Sequence, residues 1–216
     1  AAWAWDVQPQ GQGMDYFGLV FDLYRAFRRA GVTLDIVPPT QRDFAGYRVV
    51  AAPGMMTMPD DLKTALSKSG AEVLLGPRSA ARDADFTIPV PLPPAWPSLD
   101  VTVSRLETLR PDMPIPVDGG GAIKNWFEHL EGRAEVIFAT DQGLPVAMRS
   151  GTITYCGGWG DDAYFDRLVK NLCAQAEVDI TNLTKGVRLR DTQTERFWFN
   201  YNPHSVEIDG RTLEPA

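Results

Sequence analysis

Along this chain the spacing of apolar positions changes twice, and each change marks a new kind of structure. Between residues 14 and 30, Phe17, Val20, Phe21, Tyr24 and Phe27 recur at helical intervals. That spacing predicts a helix over Met14–Ala30 with these five side chains as its apolar stripe. Arg25, Arg28 and Arg29 take the other side, and the last two sit in the final turn, where positive charge suits the helix dipole. Gly31 supplies the stop, since glycine enters the left-handed conformation cheaply. Short apolar runs flank the helix: Ala2–Asp6 before it, and Val32–Val37 after it, closed by Pro38-Pro39. Strand, helix and strand at this spacing predict a βαβ crossover, and therefore a parallel sheet.

The same alternation continues. Tyr47–Ala52 reads as a strand ending at Pro53-Gly54, and Met58-Pro59-Asp60-Asp61 opens a helix with Pro early and acids at its positive end. Leu62, Ala65 and Leu66 form that helix's apolar side until Gly70, and Ala71–Leu75 is a fourth strand leading into Gly76-Pro77-Arg78-Ser79. Four strands interleaved with helices favour an α/β fold with a flavodoxin-like, doubly wound, mostly parallel sheet. The rhythm breaks at Thr87–Pro97, whose five prolines exclude a helix or a central strand. This segment reads as an extended excursion lying on a neighbouring surface, with a stiff spacer favoured over a proline-motif ligand. From Ala134 the period becomes two. Glu135–Ala139, Leu144–Met148 and Thr152–Cys156, split by turn residues, predict an antiparallel meander. A helix carrying Tyr164, Phe165, Leu168, Val169, Leu172 and Cys173 on one face closes it near Val178. The division expected is an α/β domain over 1–180 and a small antiparallel β appendage over 181–216. The appendage strands are Val187–Arg190, Arg196–Tyr201 and Ser205–Ile208. About thirty residues of antiparallel β bury too little to stand alone, so the appendage must pack on the main domain or on further chain.

Composition changes this picture little. The 216 residues are 44% hydrophobic and 23% charged, as in globular proteins. A net charge of −7 without a Lys/Arg cluster argues against nucleic acid as a partner. No apolar run is long enough to span a membrane. The two cysteines, Cys156 and Cys173, lie in apolar surroundings. They read as free buried thiols of a reducing, cytoplasmic compartment. The first residue is Ala1 rather than Met, so a processed or excised chain is expected.

Candidate chemistry is sparse. Gly11-Gln-Gly13 between strand and helix resembles a dinucleotide fingerprint, but Tyr16 stands where a third glycine should let helix and strand approach. Asp35, the acid nearest the expected ribose position, sits inside its strand. A cysteine hydrolase would draw on His129-Leu-Glu131 and Cys156-Gly157-Gly158. In such enzymes the nucleophile's turn precedes the histidine, whereas Cys156 follows His129. The turn in the right place, Gly76–Ala80, offers Ser79 but no cysteine and no partner base. Gly119-Gly-Gly121 lacks the ending of a phosphate loop. His129 and His204 lie far apart without zinc-type spacing, and Asp60-Asp61 and Asp161-Asp162 are helix-start residues. No catalytic, cofactor-binding or metal-binding residue is expected, and no cofactor. The aromatics Trp96, Trp126 and Phe127 are candidates for an exposed contact surface.

An ordered set of short motifs carries more. Trp5-Asp6, Tyr24-Arg-Ala-Phe-Arg-Arg-Ala-Gly31, Val32–Pro39, Val49-Val-Ala-Ala-Pro53 and Leu74-Leu-Gly-Pro-Arg-Ser79 together resemble the trimerisation domain of glycoside hydrolase family 42 β-galactosidases. Pro97–Arg110 and Ala134–Val178 resemble that family's later segments. The tail with Arg196-Phe-Trp-Phe-Asn-Tyr-Asn202 is similar to its small C-terminal β domain. The resemblance covers nearly the whole chain; Gln8-Pro9-Gln10 departs from it, where many relatives carry aromatic residues. It implies a class I glutamine-amidotransferase-like domain that assembles a homotrimer. It also implies a catalytic TIM barrel, missing from this chain, whose two glutamates hydrolyse terminal β-galactosides with retention. A β-galactoside would be met only through that parent enzyme.

Overall fold

The computed structural model describes residues 13–208 and 210–215. The expected first strand Ala2–Asp6, Gly11 and the departure at Gln8–Gln10 lie outside the described residues. The first described element is helix α1 (Tyr16–Arg29). Asp15 caps it by accepting the Phe17 and Gly18 amides at 3.2 and 2.7 Å, which satisfies two of the donors that a helix start leaves open. Gly31, at φ 75°, stops it as expected. Its neighbouring amides at Gly31 and Val32 return to the carbonyls of Arg28 and Phe27.

The buried face of α1 overlaps the predicted stripe only at its C-terminal end, where Phe27 is buried and Val20 and Tyr24 are half-buried. Leu19, Leu23, Ala26 and Phe27 point inward, whereas Phe17 is 72% and Phe21 45% exposed. The helix carries two overlapping apolar arcs, and the one led by Leu19 and Leu23 packs. Val32–Val37 joins no ladder among the described residues, and its expected partner strand lies outside them.

Next come β1 (Val49–Ala52), α2 (Asp60–Lys68) and β2 (Glu72–Leu75). After the proline-rich segment follow β3 (Thr102–Thr108), β4 (Ile115–Pro116) and β5 (Ala122–Glu131). Then come β6 (Glu135–Ala139), β7 (Pro145–Ser150), β8 (Ile153–Cys156) and β9 (Gly158–Gly160). Helix α3 (Asp162–Gln175) closes the main body. The tail holds β10 (Val187–Asp191), β11 (Arg196–Asn200), β12 (Val206–Ile208) and β13 (Arg211–Leu213).

The central sheet runs β1-β2-β8-β7-β6. β1, β2 and β8 are parallel, and β8, β7 and β6 form the antiparallel meander that the period change predicts. Side chains alternate between its faces. Leu74 and Cys156 join a core beneath α1 and α3, and Val73, Leu75, Ile153 and Tyr155 join another beneath α2. The fold is therefore mixed α/β.

A second antiparallel sheet, β3-β5-β4 with β9 against β5, is absent from the sequence reading. Its main strand β5 buries Trp126, Phe127, Glu128 and Leu130, so no alternation of apolar and polar residues announces it. Trp96, Trp126 and Phe127 are all buried, which corrects their reading as exposed contacts. The tail packs on the body, as its size requires. Val187 and Leu189 are buried, β10 touches α1, and the Asp191 amide donates to Thr33 Oγ1 at 2.9 Å.

Candidate functional site

Where a parallel strand gives way to a tight turn, a backbone can hold a nucleophile in a strained, exposed position. The turn after β2 has that shape. Arg78 and Ala80 adopt φ of 68° and 53°, a conformation that costs residues with a Cβ about 1–3 kcal/mol. Gly76 sits so close to the Cys156 carbonyl that an added Cβ would lie 2.2 Å from its oxygen.

The side chains in this turn face inward. Ser79 is fully buried; its hydroxyl donates to the Ala52 carbonyl at 2.6 Å and accepts the Gly76 amide at 2.7 Å. It braces the turn and meets no base.

Arg78 is also buried and enters a polar cluster that sequence reasoning missed. Glu128 Oε1 accepts the Arg78 amide at 3.1 Å and Trp126 Nε1 at 3.2 Å, and Oε2 accepts the Tyr155 hydroxyl at 2.8 Å. The Arg78 guanidinium lies 5.4 Å from the centre of the Trp126 ring. Burial pushes the Glu128 carboxyl above its ordinary range, against the hydrogen bonds of Tyr155 and Trp126 and the charge of Arg78. Burial likewise lowers Arg78, countered chiefly by Glu128. The signal available beforehand was one acid inside an apolar strand, Trp126-Phe-Glu-His-Leu130, read alongside the arginine in the turn.

The other sequence candidates are scattered. Cys156 is buried, 3.2 Å from the Gly158 carbonyl and 3.3 Å from the Tyr164 hydroxyl. Burial pushes its thiol up to about 11, opposite to the shift a nucleophilic cysteine needs. Cys173 is pushed up to about 11 by the same cause. His129 faces Arg105 and Glu107 across the β3–β5 ladder, its Nε2 lying 2.9 Å from Arg105 and 2.8 Å from Glu107. It stands on a different element from Cys156, and Glu131 is exposed. A shallow depression of about 140 Å³ lies beside His129, lined by Phe127, Leu130, Glu131, Leu144 and Pro145. That is under half the smallest usual small-molecule site of about 300 Å³.

Asp35 is exposed and accepts the Tyr47 hydroxyl at 3.1 Å, Gly13 is an exposed turn residue, and Tyr16 is partly buried. Asp61 pairs with Arg42 at 2.8 Å, and Asp161 caps α3 by accepting the Tyr164 amide. Asp162 pairs with Arg25 and Arg29. Among the described residues no group of three His, Cys, Asp or Glu could hold a metal ion, and no helix is long and apolar enough to cross a membrane.

The prominent surface features are apolar. Phe17, Phe21 and Tyr24 stack along α1 with ring centres 5.7 and 6.1 Å apart and planes within 11°. Arg25 lies 5.9 Å from the Phe21 ring centre. The proline-rich segment exposes Ile88, Val90 and Leu92, with Val90 95% exposed.

Residues 1–179 match the family described as β-galactosidase trimerisation domain. A β-galactosidase of Thermus thermophilus is 33% identical over 212 residues, covering 96% of this chain. The chain spans about a third of that relative's length, 33%. Among solved structures, a β-galactosidase from the psychrophilic Marinomonas ef1 superposes with a TM-score of 0.92 at 28% identity, over 97% of this chain and 32% of its own. A polyextremophilic β-galactosidase of the Antarctic haloarchaeon Halorubrum lacusprofundi gives 0.87 at 28% identity, over 99% and 37%.

Proposed function

This chain belongs to the β-galactosidase trimerisation domain family, and from that premise we propose that its work is assembly and not catalysis. It joins three copies of a longer β-galactosidase, in which a barrel outside this chain supplies the two glutamates that hydrolyse terminal β-galactosides. The observation that carries this reading is the turn after β2. Its strained geometry is that of a nucleophile's turn, yet Arg78 and Ser79 are directed into the Glu128–Tyr155 core. An enzyme-like scaffold has given its reactive position to structure.

The finer fold assignment belongs to the same proposal. Three parallel strands, β1, β2 and β8, with helices on both faces support a flavodoxin-like, amidotransferase-like frame. The division into 1–180 and 181–216 is supported by α3 ending at Gln175, before the tail strands begin. Two free buried thiols support a reducing, cytoplasmic setting.

Light scattering tests the assembly: a trimer is expected, and a chain that stays monomeric at high concentration defeats the reading. A chromogenic β-galactoside should remain intact in its presence. The rival reading, an amidotransferase-like hydrolase using Cys156, requires a reactive thiol. Native protein should react with a thiol reagent only as it unfolds, and glutamine hydrolysis abolished by Cys156→Ala would establish the rival instead.

A further inference from the structure

A cation drawn partly out of water needs acceptors or an opposite charge beside it. Where β10 packs on α1, two arginines lack both. Arg28, in the last turn of α1, is partly buried, and its Nη1 donates to the Val32 carbonyl at 3.1 Å. Arg188, on β10, is also partly buried, and its Nη1 donates to the Val187 carbonyl at 2.7 Å. A guanidinium carries several more N–H donors than that, and among the described residues neither arginine meets a further acceptor.

The acids on this side are committed to other arginines. Asp162 and Asp166 pair with Arg29 at 3.3 and 2.7 Å, and Asp22 and Asp162 pair with Arg25 at 3.5 and 3.7 Å. Asp191 pairs with Arg196 at 2.7 Å. What reaches Arg188 is charge of its own sign: burial, and then Arg29, Arg28 and Arg25, hold its pKa below the ordinary value. The ladder sets Arg188 opposite Phe199 on β11, and the Phe199 and Tyr201 rings lie parallel within 11° at 6.3 Å. Tyr201 is the group whose charge opposes the arginines at Arg188.

We propose that Arg28 and Arg188 together bind a small oxyanion, of the phosphate or sulfate class, between the end of α1 and β10. The planar fork of a guanidinium matches the oxygens of such an anion and binds them by charge-assisted hydrogen bonds. In a chain of net charge −7, an anion is held only where cations stand together without acids. The site is built within one protomer, so it stands apart from the assembly reading.

Thermal unfolding tests it, with inorganic phosphate exchanged for chloride at constant ionic strength. Phosphate held with a Kd of about 1 mM should raise Tm by about 3–6 °C at about 10 mM. Arg188→Gln and Arg28→Gln should each lose that rise, while Arg133→Gln, which removes an exposed arginine elsewhere, should keep it. In phosphate-free buffer of low salt, Arg188→Gln should melt no lower than wild type, because it removes a cation held among cations. Wild type that melts at one temperature with and without phosphate overturns the proposal. An equal rise in both Gln variants also overturns it, and shows the general effect of phosphate on protein surfaces. Arg188→Gln melting well below wild type without phosphate would make Arg188 a brace of the tail and not a receptor. Stability that follows protein concentration but not phosphate would instead assign the arginines to a carboxylate of another copy.

Discussion

Glu128 shows how one buried acid can tie three elements together. Its carboxyl group accepts hydrogen bonds from the Arg78 amide on the turn after β2, Trp126 Nε1 on β5 and the Tyr155 hydroxyl on β8. Glu128→Ala strands these donors and leaves Arg78 charged in the interior. It should destabilise the fold by about 3–5 kcal/mol in urea titration, and Glu128→Gln, which keeps an acceptor, by less. A loss under about 1 kcal/mol in Glu128→Ala would show that water replaces the carboxylate. Asp22 illustrates the opposite titration. Burial tends to raise its pKa, but hydrogen bonds from Lys124 and Trp159, with the charges of Lys124 and Arg25, leave it below 3.8. Its contribution to stability is therefore complete above the ordinary carboxylate range and disappears as pH falls through the folded-state value. Asp22→Asn should flatten the acid limb of the stability curve below about pH 4; an unchanged limb would remove Asp22 from the account. Glu128, raised, runs the other way and contributes less as pH climbs through its own folded value.

At the scale of elements, α1 carries the main lesson. Helical spacing located it within two residues at its start and one at its end, and Gly31 and the terminal arginines were legible. Which arc packs was not legible, because hydropathy rates Phe17 and Phe21 at least as apolar as Leu19 and Leu23. The choice is made by the neighbours, Phe165, Leu168 and Trp159 among them, and these come from far along the chain. The paired substitutions separate the arcs. Leu23→Ala should cost about 2–5 kcal/mol by opening a cavity, while Phe21→Ala should leave the monomer's stability within about 0.5 kcal/mol. Equal losses would mean that both arcs are core. The meander β6–β8 and helix α3 were legible for a simpler reason: turn residues separate their strands, and one face of the helix is continuously apolar. β3, β4 and β5 were not, since β5 is covered on both faces for much of its length and reads as an unpatterned mixture.

For the whole molecule, the local rules pointed to α/β, and the long-range pairings decided its form. That Ile153–Cys156 lies parallel beside Glu72–Leu75 is written in no local motif; it follows from where the intervening 77 positions (76 to 152) can go. The candidate site was legible only in part: the turn Gly76–Ala80 could be read locally, whereas its buried partner Glu128 and the exposed surfaces could not, because burial and exposure are properties of the finished packing. β2 makes a last point. It has a parallel neighbour on each edge, and all four of its residues are buried. No partial opening can wet the Val73, Leu74 and Leu75 amides, so in deuterated buffer they should be the last to exchange, at the rate of complete unfolding. Early exchange there would mean that the sheet splits along β2. Otherwise, three amides serve as a clock for how often the entire chain comes apart.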